Sequence, residues 1–237
     1  MNATAPLLVG IDVVDPDDAR CAGKHADDRF LRRILADGER AFVSGAADPA
    51  LALWRIWAAK EAAFKVVSKL RGAPPPFVHA SFRVDSSVAA EGFGAVTWED
   101  VVVHVHWHAE PGRTVALGWN GLAAAPVEWG WGAVADLDRD PAAPLDALLA
   151  RLTPREQAPV HSRASALVRL AARGALAHAL QVDEARVEVV AGEGPKGRMP
   201  PEVLLDGRPA PADVSLSHHG RWLAWGVRLA GPAPAAG

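Results

Sequence analysis

The chain has 237 residues, half of them hydrophobic, with 25 Lys and Arg against 28 Asp and Glu, a net charge of −3 and one cysteine. That charge gives no support for a nucleic-acid binder, and the single Cys21 excludes an intramolecular disulfide and suits a reducing compartment. No uninterrupted run of about eighteen apolar residues is present to span a membrane, and the first nine residues carry no basic and apolar leader, so the expectation is a soluble, cytoplasmic protein.

In chain order, a short apolar run over 7–11 closes on Asp12, as a strand-end carboxylate does. Residues 57–67 read as helix: Ala, Lys and Glu are strong helix formers, and Trp57, Phe64 and Val67 recur near one turn. They belong to a long helix-like segment near 50–70, which Pro74-Pro75-Pro76 follows. Strands are expected over 78–84 and 97–107, with shorter ones at 187–190 and 203–205. Ala123-Ala124-Ala125-Pro126 reads as a linker and 231–237 as a frayed tail. A second long helix-like segment near 162–180 is rich in Ala, Leu and Arg over 164–180 and has no acid there, hence no counterpart to Glu61. A weak repeat joins the halves: Gly112-Arg113-Thr114-Val115-Ala116-Leu117-Gly118-Trp119 returns 108 positions later as Gly220-Arg221-Trp222-Leu223-Ala224-Trp225-Gly226-Val227. Helices and antiparallel strands in each half, 1–122 and 126–237, indicate an α+β fold.

Glu61 and Lys65 are four apart and leave neighbouring helical turns on one side. If they converge with Asp12, two carboxylates and a lysine suit a hard cation beside a phosphate. The same residues also suit a solvated helix face and an ordinary strand-end turn. His104-x-His106-x-His108 has the strand spacing at which histidines chelate zinc, which makes a zinc hydrolase one alternative. Val103, Val105 and Trp107 alternate with them as an inward face, so the simpler reading is the wet side of a half-exposed strand. Gly192-Glu193-Gly194 lacks the Gly-Lys-Ser/Thr ending of a phosphate loop. Ser217 and His218 are adjacent on a strand and point to opposite faces, which disfavours a Ser–His nucleophile and suits a phosphate-binding histidine.

Gly10-Ile11-Asp12-Val13-Val14-Asp15, then Arg29-Phe30-Leu31-Arg32-Arg33 and Glu39, then Trp57-x-x-Lys60-Glu61-Ala62-x-x-Lys65, resembles in order and spacing the signature of the 4'-phosphopantetheinyl transferases. Gly194-Pro195-Lys196-Gly197-Arg198-Met199-Pro200 and Val214-Ser215-Leu216-Ser217-His218-His219-Gly220-Arg221-Trp222 resemble a second signature, that of Sfp-type members. In those the Ser-His half comes first, so this chain resembles a permuted arrangement. Val14 stands where Sfp-type members have a third acid, while Asp15 matches the AcpS-type pattern.

The resemblance implies two similar α+β halves related by a pseudo-two-fold axis, with the ligand in the cleft between them, and a monomer that is a pseudo-dimer. It implies transfer of the 4'-phosphopantetheine arm of coenzyme A to a serine of an acyl or peptidyl carrier protein, releasing 3',5'-ADP. Asp12 and Glu61 would hold Mg²⁺, Glu61 or a water it orients would take the serine proton, and Lys65 would neutralise phosphate oxygens. Ser217, His218, Lys196 and Arg198 would meet coenzyme A, and Arg163 or Arg169 its 3'-phosphate, while Arg29, Arg33 and Glu39 would brace the site. The alternative of the same fold is a non-catalytic module that binds coenzyme A or a carrier protein.

Overall fold

The computed structural model describes residues 7–85, 92–121, 127–194 and 197–230, apart from the side chains of 193, 194, 197 and 198. The expected linker at 123–126, the tail at 231–237 and Lys196 lie outside the described residues, as does the Arg198 side chain.

The chain opens with β1 (Val9–Val14) and three helices, α1 (Asp28–Ile34), α2 (Asp37–Gly45) and α3 (Pro49–Leu70). Strands β2 (Arg83–Val84), β3 (Phe93–Trp98), β4 (Val101–Glu110) and β5 (Arg113–Trp119) follow, and the antiparallel sheet runs β1-β5-β4-β3-β2. Helix α3 begins sharply because the Asp48 carboxylate accepts from Leu51 N and Pro49 occupies the first turn. Its sheet-facing side is unusually small: Ala58, Ala59, Ala62 and Ala63 are fully buried. Gly10 and Gly118, paired across β1 and β5, lie against this stripe, and a Cβ on Gly10 would sit 2.0 Å from the Ala62 carbonyl oxygen. Helix and sheet therefore meet almost backbone to backbone. Asp12, two residues along β1, shares Gly10's face.

The second part comprises β6 (Glu128–Ala133), the short helices α4 (Val134–Leu137), α5 (Leu145–Leu149) and α6 (Pro154–Gln157), and the long α7 (Arg163–Leu180). Then come β7 (Val187–Val190), β8 (Glu193–Gly194), β9 (Gly197–Arg198), β10 (Glu202–Leu205), β11 (Arg208–Pro209), β12 (Ala212–His219) and β13 (Trp222–Leu229). Sheets form in the orders β12-β13-β6 and β11-β10-β7, and β8 pairs with β9. All these pairings are antiparallel, and α7 buries Leu167, Val168, Leu170 and Leu176 against this part. Helices packed on antiparallel sheets make the fold mixed α and β, as expected.

Two strand expectations differ from the structure. Residues 78–84 begin with a 3-10 turn at His79–Ser81, and only Arg83–Val84 pairs in a sheet. The His79 carbonyl is committed to Phe82 N at 3.1 Å and to Lys60 Nζ at 3.0 Å, so it cannot enter a ladder. The segment 97–107 is two strands rather than one. The chain reverses at Glu99, which takes φ 49°, and Trp98 faces Val101 across the hairpin. A Glu-Asp pair is a weak turn signal beside the usual Asn-Gly, which hid the reversal. On β4, Val103, Val105 and Trp107 are buried and His104, His106 and His108 half-buried, the alternation expected of a strand with one covered face.

Strand β1 is buried at all six positions because both faces are covered. Val14 lies in the core beneath α3, whereas Val9, Ile11 and Val13 pack with Val115, Leu117 and Ala224 of β13. Among the described residues its outer edge has no strand partner, yet the backbone donors along that edge are met. Val9 N, Ile11 N, Val13 N and Asp15 N donate to Asp213 Oδ2, Ser215 Oγ, Ser217 Oγ and His219 Nδ1 of β12, at 2.7, 2.9, 3.2 and 3.0 Å. The carbonyls of Val9 and Ile11 accept from Lys69 and Lys65 of α3, at 2.7 and 2.6 Å. Four alternating side chains and two lysines one turn apart thus close an edge that would otherwise leave buried backbone groups unpaired.

A candidate cation and phosphate cleft

Asp12 sits where this seam meets α3. Its Oδ1 accepts from Ser217 Oγ at 2.8 Å and from Lys65 Nζ at 3.0 Å. Burial raises the Asp12 pKa above its ordinary value, Lys65 opposes the rise, Glu61 adds to it, and the Lys65 and Ser217 hydrogen bonds again oppose it. A buried carboxylate beside a second carboxylate is a group that a cation would stabilise. Asp12 and Glu61 line the same cleft of about 340 Å³, with Trp54, Trp57 and Phe30 on its aromatic wall. Cys21 also lines it, but burial pushes that thiol up to about 11, so it is a protonated thiol at neutral pH.

A second cleft of about 240 Å³ lies between α3, α7 and β12. Lys65, Lys69, Arg169 and His218 line it, with Phe64 and Met199 among its apolar walls. His218 belongs to both clefts, so this residue marks their junction. The structure therefore brings together Asp12, Glu61, Lys65 and His218 from three distant segments, with Arg169 in the adjoining cleft. Lys65 spends its three donors on Ile11 O at 2.6 Å, Asp12 Oδ1 at 3.0 Å and Leu216 O at 3.4 Å. The last is the weakest, and exchanging it for a phosphate oxygen costs least.

Other site expectations land elsewhere. Arg163 does not line either cleft: it forms an ion pair with Asp138 at 2.6 Å and donates to the Ala143 and Asp140 carbonyls, which fixes the start of α7. Ser217 turns toward β1 and Asp12, not toward the α7 cleft, because neighbours on a strand face opposite ways. Asp15 accepts from Arg221 N at 3.0 Å and Asp17 N at 3.2 Å, and so ties β1 to the turn between β12 and β13. Among the described residues, no group of three or more His, Cys, Asp or Glu is arranged to hold a metal ion. Mg²⁺ does not require one, since it is commonly held by one or two carboxylates together with phosphate oxygens and water.

Glu39, one of the three expected braces, pairs with the buried Lys60. Lys60 Nζ is buried and reaches Glu39 Oε2 at 2.6 Å, Ile34 O at 2.8 Å and His79 O at 3.0 Å, while Glu39 also accepts from Ala36 N and Val84 N. The lysine of the Lys60-Glu61-Ala62 run is therefore a strut linking α1, α2 and α3, and only its neighbour faces the cleft. His79, which carries no signal in the sequence, stands beside Glu61. Its ring stacks on Trp57 at 4.5 Å and places Nε2 3.5 Å from Glu61 Oε1. No local motif marks it, because a turn brings it there. The polar alternation Asp213-x-Ser215-x-Ser217-x-His219 was visible, and its period of two could have flagged a strand edge with a polar task.

Fold and cleft together define an α+β protein that gathers two carboxylates, a lysine and a histidine where a long helix meets two sheet edges. The chain belongs to the 4'-phosphopantetheinyl transferase superfamily, whose family model matches residues 8–125. It is also similar to holo-[acyl-carrier-protein] synthases of Chlamydia trachomatis serovars L2, L2b and D, each 37% identical over 59 residues. That stretch covers 25% of this chain and 50% of each relative, so the chain spans about half the length of the curated relatives it matches.

Proposed function

We propose that this chain transfers the 4'-phosphopantetheine group of coenzyme A to a serine hydroxyl of an acyl or peptidyl carrier protein, releasing 3',5'-ADP. The observation that carries the reading is the meeting of Asp12, Glu61 and Lys65 beside His218, at the junction of a carboxylate cleft and a cation-lined one. Superfamily membership and the similarity to holo-[acyl-carrier-protein] synthases support it.

Asp12 and Glu61 are the residues to hold Mg²⁺, which when bound would offset charge on the pyrophosphate. Glu61 receives the serine proton, directly or through a water. The serine oxygen forms a bond to the pyrophosphate phosphorus that carries the pantetheine arm, and the bond from that phosphorus to the departing 3',5'-ADP breaks. Lys65 and His218 donate to phosphate oxygens, and Arg169, with Lys69 beside it, sets the cation character of the cleft for the rest of coenzyme A. Lys196 and Arg198 remain proposed phosphate contacts from the β8–β9 segment.

We further propose that the chain consists of two equivalent halves, 1–122 and 126–237, in one monomer, in an order permuted from Sfp-type members. A matching pair of buried glutamates supports this. Glu39, three residues into α2, accepts from Ala36 N, from Val84 N of β2 and from Lys60 of α3. Glu156, three residues into α6, accepts from Thr153 N, from Val189 N of β7 and from Arg173 of α7. A reducing cytoplasm is the compartment that suits the reaction. The test is intact-mass spectrometry of apo-carrier proteins incubated with the chain, coenzyme A and Mg²⁺, with a chelator control. A chelator-sensitive gain of one phosphopantetheinyl group is expected. No gain on any carrier, from folded protein that binds coenzyme A, would favour the non-catalytic module.

A further inference from the structure

We infer that Ser217 is a positioning residue for Asp12, reaching across from β12 to fix which carboxylate oxygen faces a cation; this rests on the reading of Asp12 as a cation ligand. A serine hydroxyl has one hydrogen to donate. Ser217 spends it on Asp12 Oδ1 at 2.8 Å and accepts from Val13 N at 3.2 Å, with 9% of its surface exposed. The hydroxyl is thus committed within the seam and has no second hydrogen for a phosphate. Lys65 Nζ lies 3.0 Å from the same Oδ1.

Two donors on one oxygen matter because the last torsion of an aspartate is broad and nearly two-fold, so packing alone fixes it weakly. With Oδ1 held from both sides, Oδ2 receives no hydrogen bond among the described residues, and it is the oxygen left to a cation. Partners that hydrogen-bond to a ligating carboxylate typically change metal affinity by about 10- to 100-fold when removed. Ser217 comes from a segment about two hundred residues away from Asp12 in the chain, so cation binding in one part depends on how β12 is seated against β1.

The test is Mn²⁺ binding to the full chain, followed by loss of the free-ion electron paramagnetic resonance signal, with coenzyme A affinity measured separately in chelator. Ser217→Ala should weaken Mn²⁺ binding by about 10- to 100-fold and leave chelator-phase coenzyme A affinity unchanged. Ser217→Thr, which keeps the hydroxyl, should restore Mn²⁺ binding. Ser217→Cys keeps the volume but has a weak donor, and it carries the test if the alanine variant does not fold. Asp12→Asn separates the two claims. If it leaves Mn²⁺ binding intact, or the unaltered protein binds none, the reading of Asp12 as a ligand fails. If it abolishes binding while Ser217→Ala and Ser217→Cys bind normally, the positioning role alone fails. Weakened coenzyme A binding in chelator with Mn²⁺ affinity unchanged would return Ser217 to a coenzyme A contact and overturn the inference.

Discussion

Replacing Glu39 with alanine should cost far more than a surface change, and the cost can be worked from its contacts. Lys60 is 1% exposed, and its only carboxylate partner among the described residues is Glu39 at 2.6 Å. Burial lowers the Lys60 pKa, and Glu39 opposes that shift. Removing the carboxylate leaves a buried ammonium with two carbonyl partners and orphans Ala36 N and Val84 N. Breaking a buried pair from one side costs roughly 3–5 kcal/mol, and each orphaned buried donor adds about 1 kcal/mol or more. The loss should therefore be at least about 5 kcal/mol, which for a chain of this size lowers Tm by about 10 to 20 °C or more. Urea denaturation followed by tryptophan fluorescence, with an unchanged slope, measures it. Glu39→Gln with Lys60→Met should recover part of the loss, because the amide oxygen keeps one acceptor and no charge is buried. A loss below about 0.5 kcal/mol for Glu39→Ala, the range of ordinary surface changes, would refute the strut.

Gly10→Ala should destabilise by about 2 kcal/mol or more, since its Cβ would meet the Ala62 carbonyl oxygen at 2.0 Å and force β1 off α3; denaturation at wild-type stability would show that the two backbones have room to part. Mn²⁺ affinity should fall about tenfold per pH unit once pH drops below the raised Asp12 value, because cation and proton compete for one carboxylate. The sign for stability is opposite: the folded state holds this proton more tightly than the unfolded chain, so Asp12 contributes most to stability below its ordinary pKa, and that contribution is lost as pH rises through the raised value. Calorimetry of Mn²⁺ binding from pH 7 downward checks the first, and a decline beginning only at the ordinary carboxylate value would contradict the shift. Arg169→Ala should weaken coenzyme A binding, whereas Arg163→Ala should leave that affinity intact and lower stability, since Arg163 is committed to Asp138; equal effects on binding would erase the distinction. Glu61→Gln should keep the fold and reduce turnover by orders of magnitude, as loss of a proton acceptor and cation ligand does; near-normal turnover would remove Glu61 from the site.

The long helix α3, the Asp12 strand and the alternating face of β4 were legible in the sequence because each follows from local periodicity: a run of strong helix formers with apolar residues recurring near one turn, an apolar run closed by an acid, and a period of two. The signature residues could be found the same way, since Glu61 and Lys65 are one turn apart wherever the helix lies. What each does with its neighbours was not local. Lys60 and Glu61 are adjacent in a strong motif, yet one is buried under α1 and α2 and the other lines a cleft, because successive helical residues are rotated about a hundred degrees. Ser217 and His218 part in the same manner across a strand, so a Ser-His dipeptide cannot say which of them meets a ligand. The edge of β1, closed by four side chains from β12 rather than by another strand, has a long-range register that no local pattern carries. Tertiary structure decided these assignments because the buried donors of β1 had to find acceptors, and the acceptors lie some two hundred residues further along the chain.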